Sequence, residues 1–235
     1  MSLSQPTVTN PAERFIEWKK GAFQWYDKET KKEIKLNLPA RFIVLEQTNT
    51  IVGYNKNEEK GIYANEVKSL SNEPLHAKIF TKGTIAKGLW EDIKDKVKVS
   101  GGRFCKVVYA ALNEGGELRM VAFKFYGAAL GVWFEFSNNI DLRKNGVEIE
   151  NKTIDMESGS TKYKIPVLKA IPVTDETLNK AIEMDKELQK YRREYEEAVR
   201  QREDTDAVKR EVQDNGVKFD QSLSNTEQEA DDLPF

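Results

Sequence analysis

Arg103-Phe104-Cys105-Lys106-Val107-Val108-Tyr109-Ala110-Ala111-Leu112, then Asn113-Glu114-Gly115-Gly116, then Glu117-Leu118-Arg119-Met120-Val121-Ala122-Phe123-Lys124-Phe125-Tyr126 reads as two strands joined by a tight reversal. β-Branched and aromatic residues fill both arms, and these side chains suit a pleated, half-buried surface. The paired glycines permit the positive φ angles that a tight reversal needs. Alternation along the first arm is imperfect, which fits a sheet buried on one face and half used on the other.

Outward from this hairpin the chain stays β-rich. Lys20–Tyr26, Ile34–Leu38, Ala40–Tyr54 and His76–Lys82 are candidate strands bounded by Gly, Pro or Asn. Gly127–Phe136 reads either as a short helix or as a continuation of the strand before it, and Ile140–Thr153 as hairpin or loop. Tyr163–Val173 reads as a last strand, which Pro166 and Pro172 restrict to a sheet edge. From Asp175 the composition turns to Glu, Lys, Arg, Gln, Ala and Leu, all good helix formers, with Thr174 placed to cap the start. Leu178, Ala181, Asp185, Leu188, Arg192, Tyr195 and Val199 follow alternating 3/4 spacing, but two of them are charged, which favours a solvated helix over a strong coiled coil. The resulting division is a flexible arm over residues 1–12, a β body over 13–173, a charged helix over 174–212 and a disordered acidic tail over 213–235.

The net charge of −2 conceals a division. Residues 1–174 hold 27 Lys and Arg against 21 Asp and Glu, a net of +6, whereas residues 175–235 hold 10 against 18, a net of −8. A basic body calls for an anionic partner and leaves the acidic end a separate role. The single cysteine, Cys105, rules out an intramolecular disulfide framework and fits a reducing cytoplasm. The absence of an apolar run of about 18 residues predicts no spanning helix, and polar Met1–Asn10 does not read as an export signal.

Catalytic motifs are scarce. His76 is the only histidine, so a site with several imidazole ligands is excluded, and Cys105 lies in an apolar strand where burial is expected. Gly83–Gly88 lacks the Lys-Ser/Thr ending of a phosphate-binding loop and reads as a turn. Neither a cofactor nor a metal site is expected. Cations interleaved with aromatics, by contrast, are what single-stranded nucleic acid requires. They cluster at Trp18–Lys28, at Lys82–Lys98 around Trp90, and on the 103–126 hairpin. The candidate stacking residues are Trp25, Tyr26, Phe104 and Tyr109, and the candidate phosphate contacts are Lys28, Arg103, Lys106 and Lys124. Trp133, Phe134 and Phe136 are assigned to the core.

The sequence closes on Asp231-Asp232-Leu233-Pro234-Phe235, an acidic run before a small apolar plug, suited to a shallow pocket rimmed by basic residues. This tip resembles that of bacterial single-stranded DNA-binding proteins, with Leu233 where that family has Ile. The resemblance implies an OB-fold-like β-barrel, binding of single-stranded DNA, and docking of Asp231–Phe235 on replication, recombination or repair proteins. The segments Gly21-Ala22-Phe23-Gln24-Trp25-Tyr26 and Tyr63-Ala64-Asn65-Glu66-Val67 are similar to bacteriophage proteins of the same type, which implies a host cytoplasmic setting with host or phage partners. A homo-oligomer is compatible with that resemblance. Two other classes are compatible with the residues: a replication adaptor whose body binds protein, and a metal-dependent nuclease built only from carboxylates.

Overall fold

The computed structural model describes residues 9–214, with side chains for residues 9–200. Among these it contains β1 (Arg14–Lys19), β2 (Ala22–Asp27), β3 (Lys32–Lys35), β4 (Ala40–Asn55), β5 (Lys60–Tyr63), β6 (Leu75–Ile79), β7 (Gly83–Gly88), α1 (Trp90–Val99), β8 (Gly102–Glu114), β9 (Glu117–Tyr126), α2 (Ala128–Asn139), β10 (Asn145–Ser158), β11 (Thr161–Pro172) and α3 (Asp175–Asp214). No helix among the described residues is long and apolar enough to cross a membrane.

The hairpin of β8 and β9 is in register from Cys105↔Tyr126 to Glu114↔Glu117. Gly115 and Gly116 take φ of 64° and 96°, and Asn113 Oδ1 accepts the Gly116 N–H at 3.0 Å, so the reversal is held by the residues that announce it. β4 pairs with β8 along its length, with a bulge between Val44 and Glu46. The length of β4 lets it serve two neighbours on its other edge, one at each end. Ala40–Phe42 pair with β10, and Val52–Asn55 pair with β5. β1 joins the far edge of β9 in parallel, and β2 and β3 extend the sheet from it.

The ladder runs β3-β2-β1-β9-β8-β4-β5-β6-β7, with β10 and β11 branching from β4. The fold is mainly β with a C-terminal helix, and its sheet is open, with β3 and β7 at the two ends of this path. β11 pairs with β10 alone, the edge position that Pro166 and Pro172 require.

Apolar alternation sorts side chains between two main cores. The larger draws Ile16, Phe23, Phe42, Val108, Leu112, Phe123, Phe125, Trp133 and Val147 from β1, β2, β4, β8, β9, α2 and β10. Trp133 is fully buried, stacks on Phe125 at 4.6 Å, and donates its indole N–H to Gln47 Oε1 at 3.0 Å, so its polar edge is satisfied. The smaller core joins β4–β7 to α1 through Ile51, Ile62, Leu75, Ile93 and Val97.

The chain divides into a unit of Ala12–Asp185 and a second unit built from residues on either side of it. In the first, Thr174 Oγ1 accepts the Thr177 N–H at 3.3 Å and caps α3, and Ala181 packs with Ile43 and Ala111. In the second, Asn10 donates to the Tyr191 hydroxyl at 3.2 Å, and Arg192 Cζ lies 5.3 Å from the centre of the Tyr195 ring. Of the seven spaced positions, Ala181 in the first unit and Leu188, Arg192 and Tyr195 in the second are buried, while Leu178, Asp185 and Val199 are half-buried. Most of the expected arm, and the tail from residue 215 with its tip Asp231-Asp232-Leu233-Pro234-Phe235, lie outside the described residues.

Candidate nucleic-acid interface

Strand parity divides the predicted binding residues. Along β8, Arg103, Cys105, Val107 and Tyr109 point to one side, and Phe104, Lys106 and Val108 to the other. The candidate contacts Arg103, Phe104, Lys106 and Tyr109 are therefore split between the two faces, because period two cannot place odd and even positions together.

On the Phe104 side, Val108 and the positions beyond it are buried in the larger core. Phe104 and Lys106, nearer the strand start, are only half-buried. Phe104 meets Trp90 of α1 at 5.6 Å between ring centres and Phe134 of α2 at 6.3 Å, the latter with rings only 14° from parallel. Lys106 Nζ lies 5.8 Å from the Phe134 ring centre and donates to Asn49 Oδ1 at 2.6 Å. Partial burial holds the Lys106 ammonium below the usual lysine range. It still stands over an aromatic face, where a cation is attracted to the ring. Phe134 is 38% exposed, which corrects its assignment to the core. The signal was in the helix spacing: Ala129 and Trp133, four apart, face inward, and the next residue turns about 100° away from them.

On the opposite side, Arg103 Cζ lies 5.5 Å from the centre of the Tyr126 ring. The Tyr126 hydroxyl donates to Glu17 Oε2 at 2.9 Å, while Lys124 Nζ lies 3.9 Å from Glu17 and 5.0 Å from the Phe15 ring centre. Burial pushes the Glu17 carboxyl up, but Lys124, Lys19 and the Tyr126 hydroxyl outweigh it and hold it below the ordinary value. Burial and the Glu17 charge push the Tyr126 phenol up. Lys124 is only 6% exposed and spends its charge on Glu17, so it offers a phosphate no surface, contrary to expectation.

Tyr109 is also corrected. It is fully buried, and its hydroxyl donates to the Glu66 carboxylate at 3.0 Å, with Thr48 donating to the same group at 2.7 Å. No base can stack on it. Trp25 is half-buried against the larger core, with Arg14 Cζ 4.9 Å over its ring. Tyr26 is 60% exposed and Lys28 is exposed, both on the β2–β3 hairpin. Cys105 is buried as expected, and desolvation pushes its thiol up to about 12.

Of the eight predicted contacts, Phe104 and Lys106 are brought together, and Trp90 and Phe134 complete their group. Flat exposed rings beside cations can accept bases and phosphates at once. Among the described residues no three His, Cys, Asp or Glu side chains are placed to hold a metal ion. No family model matches the chain, and no curated protein or solved structure matches it.

Proposed function

We propose that this protein is a non-enzymatic, sequence-tolerant single-stranded DNA-binding protein acting in replication, recombination or repair in the cytoplasm. The observation that carries the reading is the Trp90–Phe104–Phe134 row with Lys106 over its end, set on a body of net positive charge. Base stacking is tolerant of sequence because every base has a π-face, and lysines meet the phosphates without reading bases. In this proposal the β body works as an OB-like barrel does, holding a strand against side chains of a curved sheet.

Titration of the full chain with oligo-dT, following tryptophan fluorescence, tests this directly. Binding is expected at low salt and is expected to weaken steeply as salt rises, because each phosphate neutralised releases counterions. No binding at low salt refutes the proposal.

The tip Asp231–Phe235 is proposed to recruit replication or recombination proteins, on the strength of its acidic run and apolar plug. Deleting Leu233, Pro234 and Phe235 is expected to abolish capture of such a partner while leaving oligo-dT affinity unweakened. Unchanged capture removes the recruitment role and leaves the DNA reading standing.

A further inference from the structure

A cavity of about 440 Å³ opens beside the β1–β2 turn, lined by Trp18, Lys20, Gly21, Lys162, Tyr163 and Lys164. Two aromatic and three lysine side chains are among its lining residues, and no acidic residue is. That composition is unusual in a chain where acidic residues outnumber basic ones, 39 to 37.

The walls are fixed by the fold. Lys20 and Gly21 take φ of 53° and 76°, and this left-handed pair turns β1 back into β2 within two residues. A Cβ on Gly21 would lie 3.1 Å from Lys164 Cδ, so the glycine lets the Lys164 stem pack closely against the turn. Trp18 donates its indole N–H to the Lys164 carbonyl at 3.1 Å and rests edge-on against Phe23 at 4.9 Å. Its ring is therefore held in place before any ligand arrives. Lys164 is shared with exposed Asp155 at 3.5 Å, whereas Lys20 and Lys162 make no ion pair among the described residues. The remaining wall is Ala128, the first residue of α2. Gly127 before it has no side chain to cap the helix, and its first turn carries no acid, so the field there also favours an anion.

We propose that this cavity is a nucleotide subsite, taking one nucleoside phosphate unit with its base against Trp18 or Tyr163 and its phosphate on Lys20, Lys162 and Lys164. The volume is that of a small-ligand pocket, and the acid-free basic wall selects a phosphate over a neutral ligand. As an anchor for one unit of a bound strand, the subsite rests on the nucleic-acid reading above. Its chemistry can be tested without it.

The probe is thymidine 5′-diphosphate, titrated by calorimetry into the full chain and into the Lys20→Gln/Lys162→Gln variant, with oligo-dT titrated in parallel. Both lysines are exposed, so the variant keeps its fold, and the thermal midpoint checks this. Saturable binding by the parent chain that weakens at least about tenfold in the variant is the expected result. No saturable binding up to millimolar nucleotide, or equal binding by parent and variant, overturns the subsite. A parent chain that binds the diphosphate but not oligo-dT keeps the subsite and loses the strand interface; the reverse pattern keeps the interface and loses the subsite.

Discussion

Replacing Phe104 and Phe134 together with alanine weakens oligo-dT binding by about 2 kcal/mol or more, roughly thirtyfold, because each lost base–aromatic stack is worth about 1–3 kcal/mol. The two rings lie 6.3 Å apart and nearly parallel, so they present one surface and their losses are coupled. Phe134, at 38% exposed, is the ring a base can reach first, and Phe104 supports it from the strand. Phe104 also touches Trp90, so a shift of α1 would lower affinity as well. The Phe104→Leu/Phe134→Leu variant separates the two causes. Leucine preserves most of the apolar packing but has no π-face, so packing loss predicts recovery of affinity and stacking loss predicts none. Fluorescence titration at one fixed salt concentration reads the difference, since affinity for DNA has no meaning apart from salt. Alanine variants that bind as tightly as the parent chain remove this row from the interface.

Much of the β body was legible because its signals are local. Ala40–Tyr54 and the 103–126 hairpin were read within a residue or two of their ends, since apolar runs, paired glycines and Asn113 all act over short distances. What escaped depends on partners remote in sequence. β1 is short, and although it turns into β2 through Lys20-Gly21, its other partner is the parallel and sequence-remote β9. α1 buries only Ile93 and Val97, so the sequence showed its lysines as a cation cluster around Trp90 and not as a helix until the second core is assembled. β7 carries a glycine at each end of Gly83–Gly88, and those glycines suggested a turn where a strand forms.

The binding residues were harder to read for a different reason. Composition finds aromatics and cations but does not say which face each one takes. Parity along β8 was available from the numbering alone, and it separates Phe104 and Lys106 from Arg103 and Tyr109. Burial was not available, because it depends on what covers each face. Lys124 illustrates this: a lysine between two phenylalanines looks like a phosphate contact, yet it is buried with its ammonium over the Phe15 ring and beside Glu17. A long stem lets lysine be buried along its length wherever a carboxylate meets the head.

The largest stability effect is expected at Tyr109, the residue whose assignment changed most. Tyr109→Ala removes a fully buried ring from β8, and large-to-small changes of this kind cost about 3–5 kcal/mol. It also strips the Glu66 carboxylate of a hydroxyl donor, while Thr48 at 2.7 Å still donates to it. Glu66 is 7% exposed, so water does not readily replace the lost donor. Tyr109→Phe keeps the ring and removes only the hydroxyl, which isolates the polar share at about 1–2 kcal/mol. Denaturant unfolding of the two variants should therefore rank alanine well below phenylalanine, and phenylalanine below the parent chain. Oligo-dT affinity supplies the second half of the test. A stacking residue would lose affinity on going to alanine and keep it in phenylalanine, whose ring stacks as tyrosine does. A buried structural residue gives the same affinity in both, measured at a temperature where both are folded. Loss of affinity in a folded alanine variant, with stability unchanged, would return Tyr109 to the interface and require the β8 face that carries it to open.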